Sequence, residues 1–146
     1  MFTNRAIHIL DGKGRLVLPA QYRRVLEGAE SVVLAQKEDG CLMLLRVEDF
    51  QAAAEERRAE ATTPRKRANF RFFMNHSDEV EIDKAGRLMI NPEFRTWAGL
   101  ELGTEVVIAG MYDHAEIWNR DRYGEMDRRA AARFLVTEEE EEEPPA

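Results

Sequence analysis

Cysteine is nearly missing from this sequence. Cys41 stands alone among 146 residues, so no internal disulfide can form, and the chain suits a reducing compartment. Long apolar runs are missing too. None approaches the roughly 20 residues of a membrane-spanning helix. The N-terminal MFTNRAIHIL has no long apolar core, so no signal peptide is expected. Histidine is scarce: His8, His76 and His114 lie in unrelated contexts without metal-ligand spacing. No glycine-rich phosphate loop or nucleophile motif occurs. The acidic residues are scattered and single out no catalytic pair. These absences argue against an enzyme: no catalytic residue, cofactor, metal or small-molecule substrate is assigned. His8 reads as a strand or turn residue, and Cys41, inside CLMLL, as a packed core residue.

Charge is present in quantity but unevenly placed. The net charge is −7, and residues 138–143 are six consecutive glutamates. Without those six the rest of the chain stands at about −1, near neutrality. Residues 137–146 are expected to form a disordered acidic tail, because a like-charge block has little to pack. Hydrophobic residues make up 44%, enough for a packed core in one domain or in two interdependent ones.

The dominant feature is an internal repeat. LDGKGRLVLP at 10–19 and IDKAGRLMIN at 82–91 share Asp-x-x-Gly-Arg, with Asp11 and Arg15 each 72 residues before Asp83 and Arg87. VVLA at 32–35 returns as VVIA at 106–109. Each copy reads strand, strand, short helix, strand, strand, longer helix. Alternation at Val80/Ile82 and Leu88/Ile90 has the period of a half-buried strand. Pro near the start and Gly28 or Gly99 near the end bound the short helices. Longer helices are predicted over 47–61, 65–75 and 120–136, the middle one carrying FRFF as core or subunit contact. The division is a first module with its helix at 1–61, a connecting helix at 62–75, and a second module at 76–136.

The repeated turn has its own chemistry. Asp at its first position and Gly at its fourth suit a type I turn closed by a left-handed glycine, which predicts a three-residue hairpin loop. Asp11, Gly14, Asp83 and Gly86 are therefore the turn-setting residues. Lys13, Arg15, Lys84 and Arg87 put cations on the two turns. Each arginine can fold back on the Asp four residues before it, or can reach outward. The two roles are compatible, since an Arg fork has five donors. Two stiff basic hairpins would make a ribbon suited to a DNA major groove, with arginines toward base edges and lysines toward phosphates. Arg23, Arg24 and Arg95, on the short helices, are secondary phosphate candidates.

LDGKGRLVLPAQYR, EVEIDKAGRLMINPEFR, FRFF before the second copy and AEIWNRDRY near the end together resemble the MraZ family, bacterial regulators built from two AbrB-type modules. The resemblance covers about residues 1–136. It implies a mixed β fold with short helices, arranged as a double-split, AbrB-like swapped-hairpin β-barrel. It also implies ring-like homo-oligomers that bind double-stranded DNA at short direct repeats upstream of their own division and cell-wall gene cluster. The family's Asp-x-x-x-Arg falls on Asp11, Arg15, Asp83 and Arg87, and its basic turn positions on Lys13 and Lys84. The chain departs from the pattern at Gly12, which should loosen the first turn, at Asn91 before Pro92, and in the glutamate tail. The expectation is a transcriptional regulator in the cytoplasm, at the nucleoid, with no membrane partner. The alternative is an AbrB-like antitoxin that binds DNA and a toxin.

Overall fold

The computed structural model describes residues 1–135; the acidic segment 137–146 lies outside them. The first copy contains β1 (Arg5–Ile9), β2 (Arg15–Val17), α1 (Ala20–Val25), β3 (Ser31–Lys37), β4 (Cys41–Leu45) and α2 (Val47–Glu60). Helix α3 (Pro64–Asn75) follows. The second copy repeats the order as β5 (Ser77–Glu81), β6 (Arg87–Met89), α4 (Pro92–Ala98), β7 (Glu105–Gly110), β8 (Ala115–Asn119) and α5 (Arg120–Phe134).

Local chemistry accounts for the helix starts. Pro64 and Pro92 stand in the first turns of α3 and α4, where a missing N–H costs nothing. Thr63 accepts from the Lys66 amide, Asn91 from the Phe94 amide and Asn119 from the Arg122 amide. Each side chain satisfies a donor that the helix leaves open. Asn91, a departure from the family pattern, thus serves as a cap.

The strands form one antiparallel six-stranded sheet, ordered β1-β7-β8-β4-β3-β5, and a separate ribbon, β2-β6. In each copy the third and fourth strands make a hairpin, and the two hairpins meet through β4 and β8. The first strands cross over. β1 pairs with β7 of the second copy, from Arg5 opposite Ala109 to Ile9 opposite Glu105; β5 pairs with β3 of the first, from Ser31 opposite Glu81 to Ala35 opposite Ser77. The arrangement is pseudo-twofold, with the axis between β4 and β8.

Two expectations are corrected here. The repeated turns do not close ordinary hairpins, because the arms on either side pair across copies. The strand after each turn is only three residues long, whereas β7 and β3 each offer the first strand five register pairs. Nor do the described residues form a closed barrel: among them the sheet is open, with β1 and β5 as its edges. What holds is a mixed antiparallel sheet with short helices.

One core joins the copies. Leu10, Leu16, Leu18 and Tyr22 pack with Leu88, Ile90, Phe94, Val106 and Ile108, all nearly inaccessible. The opposite face of the sheet is covered as well. Phe50 of α2 and Phe73 of α3 stack at 5.2 Å over Ala35, Met43 and Leu45, and Tyr123 of α5 packs on Cys41, Val107 and Trp118. Burial on both faces explains why SVVLAQ and CLMLL read as continuous apolar runs. Of FRFF, Phe73 is buried, Phe70 half-buried, and Phe72 lies against His76 and Trp97. Burial and the nearby Glu116 carboxylate push the Cys41 thiol up, which keeps it protonated.

Candidate nucleic-acid interface

The turns are built alike. In the first, the Asp11 amide donates to the Arg15 carbonyl at 3.0 Å and the Gly14 amide to the Asp11 carbonyl at 3.1 Å. One Asp11 carboxylate oxygen accepts from the amides of Lys13 and Arg15, at 2.8 and 2.9 Å; the other accepts from Arg15 Nε at 2.7 Å. The second turn repeats this. Asp83 accepts from the amides of Ala85 and Arg87, both at 2.9 Å, and from Arg87 Nε at 2.8 Å. Gly14 has φ +83° and Gly86 φ +76°, a backbone region that side chains other than glycine occupy at a cost.

These bonds set the electrostatics. The Arg15 amide chiefly, then the Arg15 side chain and the Lys13 amide, hold the Asp11 carboxyl at about 2. The Arg87 amide, then its side chain and the Ala85 amide, lower Asp83 likewise. Both aspartates are thus ionised at neutral pH. Each engages its arginine through Nε, which leaves the terminal amino groups of the fork for another acceptor. The side chains of Arg15 and Arg87 are 29% and 34% exposed. Lys13 and Lys84 are exposed at the turn tips.

The ribbon links the turns, one at each of its ends. Leu16 stands opposite Leu88, with Arg15 opposite Met89 and Val17 opposite Arg87. Leu16 and Leu88 point into the core, so Arg15, Val17, Arg87 and Met89 share the outer face. On an antiparallel pair, Arg15 and Arg87 are then diagonal neighbours, about 7–8 Å apart.

Each turn is also pinned by the other copy. The Ile90 amide donates to the Gly14 carbonyl at 2.8 Å, and the Leu18 amide to the Gly86 carbonyl at 2.9 Å. A Cβ built on Gly86 would lie 2.8 Å from Arg23 Cδ; one built on Gly14 would lie 3.6 Å from Arg95 Cζ. Arg23 and Arg95 thus cover the opposite copy's turn. Burial and the charge of Arg23 lower the His8 pKa below its ordinary value. Arg24 is exposed on α1, and among the described residues no hydrogen bond or ion pair joins it to either turn. Sequence reading missed Val17 and Met89, although the alternation in RLVL and RLMI already put them on the face opposite the leucines. It also missed the exchange of covering arginines, which no local pattern encodes.

Fold and site define a class: a doubled β module whose copies interleave to set two basic Asp–Arg turns on one ribbon. The comparisons match the doubling of the module. A family model described as "MraZ protein, putative antitoxin-like" matches residues 1–72 and again 73–142. A protein of Desulfitobacterium hafniense (strain Y51) is 33% identical over 131 residues, 89% of each chain. One of Burkholderia cenocepacia is 36% identical over 137 residues, 91% of this chain and 92% of the relative. One of Desulforapulum autotrophicum is 35% identical over 124 residues, 84% and 83% of the two. All three are named transcriptional regulator MraZ; none is named as an enzyme. The chain belongs to the MraZ family.

Proposed function

We propose that this chain is a DNA-binding transcriptional regulator that uses the outer face of the β2–β6 ribbon. The observation that carries this is the diagonal placement of Arg15 and Arg87, each oriented by its own aspartate. A two-stranded ribbon fits a major groove about 12 Å wide. An arginine held through Nε keeps the donors that pair with guanine N7 and O6. Lys13 and Lys84 would meet phosphates, Arg23 and Arg95 would buttress the turns near the backbone, and Arg24 has the weakest claim. The crossing of first strands between copies supports a relation to AbrB-type swapped hairpins. Within this reading the protein works in the cytoplasm, at the nucleoid. It binds short direct repeats upstream of its own gene, in a division and cell-wall cluster.

A ring of like subunits belongs to the same proposal. The two free edges differ in character. β1 exposes Ile7, at 54%, and Ile9, at 61%, beside Arg5 and His8; β5 carries Asp78, Glu79 and Glu81. Unlike surfaces that meet head to tail give a ring when the rotation between subunits closes. Phe134 and Leu135, 90% and 83% exposed at the end of α5, are further apolar surface for a neighbour. The antitoxin alternative draws support from the family description; a toxin that copurifies with the protein would favour it.

The test is footprinting upstream of the gene, followed by binding to the protected duplex and to random duplex across a salt series. Arg15→Ala and Arg87→Ala should each cost about 1–3 kcal/mol of discrimination. Lys13→Ala and Lys84→Ala should weaken both duplexes alike and flatten the salt dependence. Arginine variants that bind normally but melt early would reduce these pairs to turn structure.

A further inference from the structure

We propose that Val17 and Met89 read the 5-methyl groups of thymine, and so help to set which sequence the ribbon selects. This rests on the DNA reading of the same ribbon. Leu16 and Leu88, facing inward, are 0% and 1% exposed, whereas Val17 and Met89, facing outward, are 39% and 47% exposed. Neither belongs to a packed cluster. The register makes the pattern specific. Arg15 is paired with Met89 and Arg87 with Val17, so each arginine has an apolar neighbour directly across the ribbon, and the pseudo-twofold repeats the unit.

Chemistry then chooses the occupant. The major groove edge of a base pair consists of hydrogen-bond donors and acceptors, with one apolar projection, the thymine methyl. A valine or methionine set against any other base edge strips water from polar atoms and returns no hydrogen bond. Against a methyl it gains contact without that loss. Directly opposed side chains on an antiparallel pair start about 4.5–5.5 Å apart, and base pairs rise by about 3.4 Å. An arginine and its apolar neighbour therefore meet adjacent or next-adjacent base pairs. The two readers differ in stiffness. Val17 is β-branched and has few rotamers. Met89 is flexible, and its sulfur would lie 3.4 Å from a Cβ on Gly14, so it lies along the first turn. Val17 should tolerate fewer positions of the methyl than Met89.

The experiment uses the full chain and a duplex that it selects from a random pool. The same duplex is then made with deoxyuridine at every thymine, which removes the methyl and leaves the pairing edge intact. Each methyl contact of about 0.8 kcal/mol corresponds to about fourfold in affinity. Wild-type protein should bind the deoxyuridine duplex at least fourfold more weakly. The double variant Val17→Ala/Met89→Ala should bind both duplexes equally, at about the affinity of wild type for the deoxyuridine form. Equal wild-type binding to the two duplexes would overturn the inference and leave DNA binding standing. So would a double variant that keeps the full methyl dependence. A variant with lower mass by light scattering would make the patch a subunit contact, again overturning it. A pool from which wild type enriches nothing would instead remove the DNA reading itself.

Discussion

Asp11 shows how much of each turn is backbone chemistry. Its largest stabiliser is an amide, that of Arg15, with the guanidinium second among the groups that favour the charged form. Its pKa is lower in the folded state, so the carboxylate favours the folded turn above the unfolded value of 3.8, and that contribution is lost as pH falls toward about 2. Carbon-detected NMR titration should give a midpoint near 2 for Asp11 in the wild type. In Arg15→Ala the midpoint should rise only part of the way to 3.8; full recovery would assign the shift to the guanidinium. The glycines separate two kinds of constraint. Both have positive φ, so alanine at either should cost about 1–3 kcal/mol from strain. A Cβ on Gly14 also meets the Ile90 carbonyl at 3.2 Å, which is backbone, whereas on Gly86 it meets the mobile end of Arg23. Denaturant unfolding should therefore rank Gly14→Ala as the more destabilising of the two.

Among the elements, the crossing of β1 and β5 makes each copy depend on the other. Alone, residues 1–75 would leave β1 without β7, β2 without β6 and β3 without β5. That fragment should be unstructured by circular dichroism at micromolar concentration, and should fold when residues 76–135 are added. A stably folded monomeric fragment would contradict the interdependence. The same crossing marks the limit of what the sequence discloses. The helices at Val47–Glu60, Pro64–Asn75 and Arg120–Phe134 were legible, because helical spacing of apolar residues is a local signal. The internal chemistry of the turns was legible too, since Asp11 and Arg15 lie within one loop. Strand partnership was not. The Asp11 amide reaches the Arg15 carbonyl whether the arms continue as a hairpin or diverge, so the turn cannot report what its arms do. The coverage of Gly86 by Arg23 was hidden for the same reason: it links positions that only the assembled sheet brings together.

For the whole molecule, the body outside the glutamate run is close to neutral, so one protomer is a weak electrostatic ligand for a polyanion. A ring that presents several ribbons should gain on the order of 10²–10⁴ in avidity where spacing permits simultaneous contact. Duplexes with one, two and three repeats should bind with steeply rising affinity, and a half-turn insertion of about 5 bp should abolish the gain. A protein that is monomeric by light scattering and binds one repeat as tightly as three would refute this. The long reach of β1 has a consequence in time. Arg5 is made well before its partner Ala109, which lies about a hundred residues downstream. At about 5–20 residues per second during synthesis, the wait is roughly 5–20 s. During it Ile7 and Ile9 sit on an unpaired strand, open to chaperones and to other nascent chains. A chain halted before residue 105 carries both arginines and both turns, but lacks the β7 strand that anchors the first of them to the sheet.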